Sequence, residues 1–451
     1  MATQPRDFTS RVTLAIAISY AGFVFALVGN VVIARLLGVE GRGGFSLFLA
    51  TVSGLSVFSG LGTGHGQMFY ASREPSKLAH FMPNGLLLSF LLGGGAALSY
   101  FAIGRYFDFK IVAELGPTGA LAAVLLVPAI SAMAFQRQYL LTVGRYALSK
   151  VNASIAQTAP LLAVVLAYTA GEISVKNLVI ALVSVHALFF VVFQYRLARL
   201  PENAARRSGS ALSLSFAKES LEFGYRQYLS DLALFLANRL DFFLVTWFLG
   251  KSGLGIYAVA VALAEVVARL PSELGTILFP AFASGEVRGP GAAAILRRSL
   301  LLAVVIAAAL AVASGLLVPL LYGDAFLEAI APFRWLLLGT IAWSTIYVTW
   351  NHASAGGRPG VGVPIFGAAA ALGAVLNALL LPRVGVVGGS IAATVNYWFA
   401  AALFLRLFCV REGCSLRQAL VVQSDDVQWF VEQIRRLAVH LTSKISTPRD
   451  G

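Results

Sequence analysis

Asp231, Asn238, Arg239 and Asp241 lie within the apolar run "YLSDLALFLANRLDFFLVTWFLG", Tyr228 to Gly250. A charge at the centre of a bilayer costs roughly 2.5–3.5 kcal/mol on insertion scales, so such residues face a bundle interior, a water path or a ligand. At about 100° per residue, Gln227, Asp231, Asn238 and Asp241 fall on one side of a helix, and Leu229, Leu232, Leu236, Leu240 and Phe243 on the other. The next apolar run repeats the pattern with Glu265, Arg269, Ser272, Glu273 and Thr276 on one face. Glu265 and Arg269, four apart, are spaced to pair. Arg239 and Asp241, two apart, point away from each other and need partners from other helices or from a ligand.

Arg239 sits about 15 Å along a helix from the end of its run, too deep to snorkel with ease. Arg35 and Arg226 lie nearer the interfaces. The expectation is a substrate-binding cationic cavity formed by Arg35, Arg226, Arg239 and Arg269, lined further by Asn30, Asn238 and Asn351. Phosphate is the group that arginine binds with paired hydrogen bonds as well as charge. The carboxylates Asp231, Asp241, Glu265 and Glu273 suit either structural ion pairs or a coupling H⁺ or Na⁺. The sequence has no Walker A motif, no zinc-ligand pair and no nucleophile motif, so no catalytic residue, metal or cofactor is expected. Asp108 and Glu114, in a short break between spans, read as ordinary loop charges.

The elements that carry these residues follow from composition. Of 451 residues, 58% are hydrophobic and 12% charged, against about 25% charged in a soluble domain. About twelve apolar runs recur between Val12 and Val410, each long enough for the roughly 20 residues of a spanning helix. A transmembrane β-barrel would show short alternating segments instead. The fold class is therefore an all-α polytopic membrane protein. The first run extends past the h-region of a signal peptide and reads as the first transmembrane helix.

The net charge of +13 has a simple source. Arg6, Arg11, Arg73, Lys77, Arg145, Lys150, Arg196, Arg199, Arg206 and Arg207 fall in alternate breaks and their flanks, which the positive-inside rule places in the cytoplasm with both termini. No nucleic-acid partner is needed to explain it. Cys409 and Cys414, near the inner end of the last span, read as reduced structural thiols.

"LGVEGRGGFS", Leu37 to Ser46, and "LGKSGLGIYA", Leu249 to Ala258, share L-G-x-x-G-x-G-x-[FY]-[SA]. Gly144-Arg145 and Gly357-Arg358 echo the match at nearly the same offset. Two matches in register predict six spans duplicated in tandem as parallel repeats, with a cleft between two lobes. The division is a six-helix lobe over 12–200, a cytoplasmic linker over 201–218, a second lobe over 219–410 and a tail over 411–451. In the tail, Phe430, Ile434, Leu437 and Leu441 at helical spacing beside Arg435, Arg436, His440 and Lys444 predict an amphipathic helix on an anionic inner leaflet or on the inner loops.

"ARLLGVEGRGGFSLFLA", "NRLDFFLVTWFLGKSGLGIYAVA" and "LVPLLYGDAF" resemble stretches of the Wzx-type polysaccharide-biosynthesis flippases of the multidrug/oligosaccharidyl-lipid/polysaccharide exporter superfamily. The resemblance runs nearly to Val410. It implies twelve helices in two lobes, alternating access, a bacterial inner-membrane location, and a polyprenyl-pyrophosphate-linked oligosaccharide carried to the outer leaflet beside other polysaccharide-assembly proteins. The glycan stays open. A multidrug antiporter of the same superfamily would take a cationic cargo, which the arginines disfavour; a lipid II flippase is a nearer variant. A membrane-embedded glycan polymerase would need catalytic carboxylates or a large external loop, and the external breaks are short.

Overall fold

The computed structural model describes the backbone of residues 5–200, 212–284, 287–356 and 359–426, with isolated positions beyond; side chains of residues 5–16, 270, 272–281, 283, 284 and 359 lie outside the described set. The side chain of Glu273, Gly357-Arg358 and most of the tail segment around Leu437 and Leu441 therefore lie outside it too.

Thirteen α-helices order the described chain. They are α1 (Pro5–Gly60), α2 (Thr63–Arg73), α3 (Leu78–Leu88), α4 (Gly94–Tyr106), α5 (Lys110–Thr142), α6 (Tyr146–Thr169), α7 (Val175–Ala198), α8 (Leu214–Ser284), α9 (Pro290–Tyr322), α10 (Ile330–Ala355), α11 (Gly362–Val384), α12 (Val386–Glu412) and the short α13 (Leu416–Leu420). Ten described helical stretches are long and apolar enough to cross a membrane. One joins α3 and α4 through a π-helical turn at Ser89–Gly93.

Two of the ten each hold a pair of crossings. In α1, Gly38 takes φ 66° and ψ −172°, and in α8 Gly250 takes φ 72° and ψ −169°. Glycine alone enters that region without strain. The chain folds back at both points. Arg42 donates to Asn30 at 2.6 Å, although twelve residues of straight helix would separate them by about 18 Å. Arg239 meets Glu265 at 2.8 Å across the second hairpin, where a straight helix would hold them about 39 Å apart. Counting the arms separately gives twelve crossings, and Gly38 and Gly250 are the matched glycines of the sequence repeat.

The first six crossings bury Phe45, Phe48, Leu126, Val127, Leu178 and Leu182 at the end nearer Gly38, and Phe81, Tyr139 and Phe193 at the opposite end. The last six pack around Tyr257, Phe326, Phe333, Phe366 and Phe404, and this core takes in Ala34, Leu47 and Ala50 from α1. Because α1 and α8 form most of the contact between the lobes, small residues there let backbones meet. A methyl group on Gly43 would overlap the Lys251 carbonyl oxygen, and one on Gly255 would overlap that of Val39. This seam closes the hairpin end. At the far end Gly62 and Gly224 meet the same way, each against the other's carbonyl.

Side chains tie both ends further. At the hairpin end, Arg35 donates to the Leu321 carbonyl at 2.6 Å and to that of Leu320 at 2.5 Å, capping α9; Lys110 donates to the Trp247 carbonyl at 2.7 Å and Lys251 pairs with Glu114 at 2.8 Å. At the far end Lys77 meets Glu219 at 2.8 Å, and Asn84 exchanges two hydrogen bonds with Ser213.

The chain after α12 docks on that far end. Asp426, fully buried, accepts from Arg297 at 2.6 Å and from Arg298 at 3.1 Å, while Arg297 also donates to the Gln418 carbonyl at 2.5 Å. Burial alone would push the Asp426 carboxyl up, but hydrogen bonds from Arg297 and the Gln423 amide, with the arginine charges, hold it below the usual carboxylate range. Glu412 pairs with His352 at 2.9 Å and accepts from the Gly289 amide at 2.5 Å. Cys409 and Cys414 are free thiols.

Candidate functional site

Between the lobes lies a cavity of ≈ 740 Å³ lined by α1, α6, both arms of α8, α10 and α12. Arg239 reaches it from the first arm of α8 and Arg269 from the second, because the Gly250 reversal sets the two arms side by side. Arg239 Nη2 donates to Glu265 Oε1 at 2.8 Å, and the guanidinium lies 5.1 Å from the Phe242 ring centre. Arg269 crosses to the other lobe, donating to Ser19 Oγ at 2.9 Å and lying over the Phe23 ring at 5.2 Å. Asp231 accepts from Gln227 at 2.9 Å and sits 3.5 Å from His65 of the facing lobe. The side chains of Arg239 and Glu265 are 34% and 48% exposed, so the pair is open to an incoming ligand rather than sealed in packing.

Part of the lining is aromatic. Trp343 stands 5.3 Å from Tyr347 and 5.1 Å from Tyr397 by ring centres, and all three line the cavity. Periodicity did not single these rings out, since a Trp–Tyr run at helical spacing also suits a core.

Of the residues expected to form the site, the fold brings Asn30, Asp231, Asn238, Arg239, Glu265 and Arg269 to the cavity. It does not bring Arg35, which is exposed and caps α9, or Arg226, which is exposed and reaches the Tyr225 hydroxyl at 3.3 Å. Asn351 donates to the Tyr347 carbonyl one turn back on α10. Asp241 is only 7% exposed: it accepts from Tyr257 at 2.5 Å and from the Phe242 amide at 2.9 Å. The helical wheel set Asp241 beside Asp231; the hairpin buries it by bringing Tyr257 over it. Nor does Glu265 take Arg269 as its partner. A guanidinium across the hairpin competes better than one four residues along the same helix.

The charges lining this cavity balance, two arginines against two carboxylates. A positive charge that motif reasoning missed lies close by. Arg42 is 5% exposed and points into the bundle towards Asn30. It sits just past Gly38, so a reader of the sequence places it in a turn, whereas the chain re-enters helix at once.

Ten to twelve crossings among the described residues, with a polar cavity between two lobes, define a multi-pass membrane protein of the architecture used by carriers. Residues 32–331, well over half of the chain, match the family described as polysaccharide biosynthesis protein, and the chain belongs to that family. Among solved structures, it is similar to the lipid II flippase MurJ in an inward closed conformation, at 11% identity and a TM-score of 0.71, covering 97% of this chain and 94% of that one. It is also similar to a multidrug resistance MATE family transporter of the MOP superfamily in an inward-facing conformation, at 15% identity and a TM-score of 0.64, covering 89% and 98%. A eukaryotic MATE transporter matches at 15% identity and a TM-score of 0.62, covering 88% and 95%. These likenesses establish the fold. No curated protein matches the sequence.

Proposed function

We propose that this protein is a flippase that moves a polyprenyl-pyrophosphate-linked oligosaccharide from the cytoplasmic to the outer leaflet of a bacterial inner membrane for surface polysaccharide assembly, with both termini cytoplasmic. The observation that carries the reading is the cavity between the lobes, whose lining joins Arg239 and Arg269 to Trp343, Tyr347 and Tyr397. Arginines suit the pyrophosphate, and aromatic faces suit the apolar faces of sugar rings. Arg239 holds a partner that a phosphate can replace, a solvent-accessible carboxylate, and Arg269 has Ser19 among its partners.

Alternating access follows from the two seams. The Gly43–Gly255 seam and the Arg35 and Lys110 ties would part to open the cavity outward; the Gly62–Gly224 seam and the Lys77–Glu219 pair would part to open it inward. Asp231 and Glu265 would carry a coupling H⁺ or Na⁺ in this scheme, since both line the cavity, Asp231 beside His65 and Glu265 on Arg239, whose guanidinium a phosphate would draw away. Asp241, closed over by Tyr257, is structural in this scheme.

A second reading draws on the same lining. Asp231 and Glu265 beside an aromatic wall also suit an organic cation, the cargo of a multidrug antiporter. Transport of fluorescent lipid-linked oligosaccharide and of ethidium by the purified protein in proteoliposomes separates the two. The flippase reading expects lipid movement that Arg239→Ala and Arg269→Ala abolish, and no ethidium transport; ethidium transport insensitive to both substitutions supports the antiporter.

A further inference from the structure

A second chamber of ≈ 370 Å³ adjoins the central cavity on the side of the Gly38 hairpin, and the two share Asn30, Arg239 and Glu265 in their walls. The Arg239–Glu265 pair stands at the threshold between them. Beyond it the chamber is lined by Arg42, Ser46 and His186 among apolar residues. Of its formal charges, Arg42 and Arg239 are positive and Glu265 alone is negative, so this chamber, unlike the central cavity, carries an uncompensated positive charge.

Arg42 is that charge. One Nη donates to Asn30 Oδ1, and Nε, buried, has no acceptor. The Tyr322 hydroxyl, on a residue 2% exposed, is an electrostatic neighbour of Arg42 and also lacks a partner. Buried polar atoms are nearly always paired, and an exception asks for an explanation such as a missing ligand. Glu265, the nearest carboxylate in the chamber, is already committed to Arg239.

We infer that the Arg42 chamber is a second anion site that takes a phosphate or pyrophosphate group after it leaves Arg239. An anion arriving at Arg239 competes with Glu265 for the guanidinium; passing the threshold, it enters the chamber lined by Arg42, which lies about one helical turn past Gly38. The site rests on the flippase reading only for the source of the anion. In the proposed orientation it lies on the outer-leaflet side of Arg239.

Calorimetric titration of the full chain in nanodiscs tests this, with inorganic pyrophosphate and farnesyl pyrophosphate as probes. Arg42→Gln is expected to weaken both at least tenfold. Because Arg42 is buried, a second variant keeps it in place: Ser46→Asp sets a carboxylate one turn along the helix and is expected to weaken binding to a similar degree. Loss for both probes supports the site with a lipid pyrophosphate as its occupant; binding of inorganic pyrophosphate alone, lost in both variants, supports it with a free anion. Wild-type affinity in both variants overturns the inference. If Arg269→Gln weakens binding under those conditions, the central cavity remains the pyrophosphate site and only the second chamber fails.

Discussion

Asp426→Ala removes the only carboxylate in contact with Arg297 among the described residues, and Arg297 is itself 5% exposed. Asp426 also accepts from Arg298 and from the Gln423 amide at 3.1 Å. Leaving one member of a buried pair uncompensated costs about 3–5 kcal/mol. The segment Leu416–Asp426 is short and otherwise held by Ala419 packed on Leu296 and Phe408, and by the Arg297 bond to the Gln418 carbonyl. Its local opening is therefore expected to absorb the cost before the lobes unfold. At 1.36 kcal/mol per factor of ten, the opening equilibrium shifts by about 10²·²–10³·⁷-fold. Hydrogen exchange of residues 416–426 in the full chain reads that shift directly. Arg297→Met combined with Asp426→Ala removes both charges and is expected to recover part of the protection, because no buried charge remains unpaired. The sign of the pH dependence follows from the lowered Asp426 pKa. The pair's stabilisation is fully present above the unfolded carboxylate value of about 3.9 and is lost as pH falls through the lower folded value. Docking should therefore hold from neutral pH to about 4 and fail only in stronger acid. Unchanged exchange in the single variant, or release of the tail between pH 7 and 5, would refute this account of the latch.

Gly43→Val, checked by cysteine cross-linking between the hairpin ends, is expected to prevent seam closure and abolish transport while the protein still inserts, since its side chain overlaps the Lys251 carbonyl. Tyr257→Phe takes the hydroxyl from buried Asp241 and should lower stability by about 1–3 kcal/mol, read as a lower melting temperature. Arg226→Ala is expected to leave transport within about twofold of wild type, because an exposed side chain away from the cavity contributes little.

Helix content, the number of crossings and the paired glycines were legible because bilayer thickness imposes run lengths and a tight reversal imposes glycine. The hairpins also explain what was not legible. Asp241 and Tyr257, Arg239 and Glu265, and Arg42 and Asn30 all meet across a reversal, and a single-helix projection cannot show such pairs. Arg35 and Arg226 drew attention as membrane arginines, yet one caps α9 and the other stays exposed. Arg297 and Asp426 lie far apart in sequence, and neither stands in a motif. Asn30, Asn238, Arg239 and Arg269 of the expected cavity residues, with the carboxylates Asp231 and Glu265, line the cavity, and depth within an apolar run is the signal that pointed to them.

The central claim is that the cavity between the lobes carries a pyrophosphate-linked glycan past Arg239 and Arg269. Reconstituted protein, lipid-linked oligosaccharide in the inner leaflet of proteoliposomes and a membrane-impermeant lectin or glycosidase outside measure it. The account predicts exposure of the glycan by wild type and none above the protein-free rate by Arg239→Ala or Arg269→Ala. Wild-type rates in both variants would contradict it.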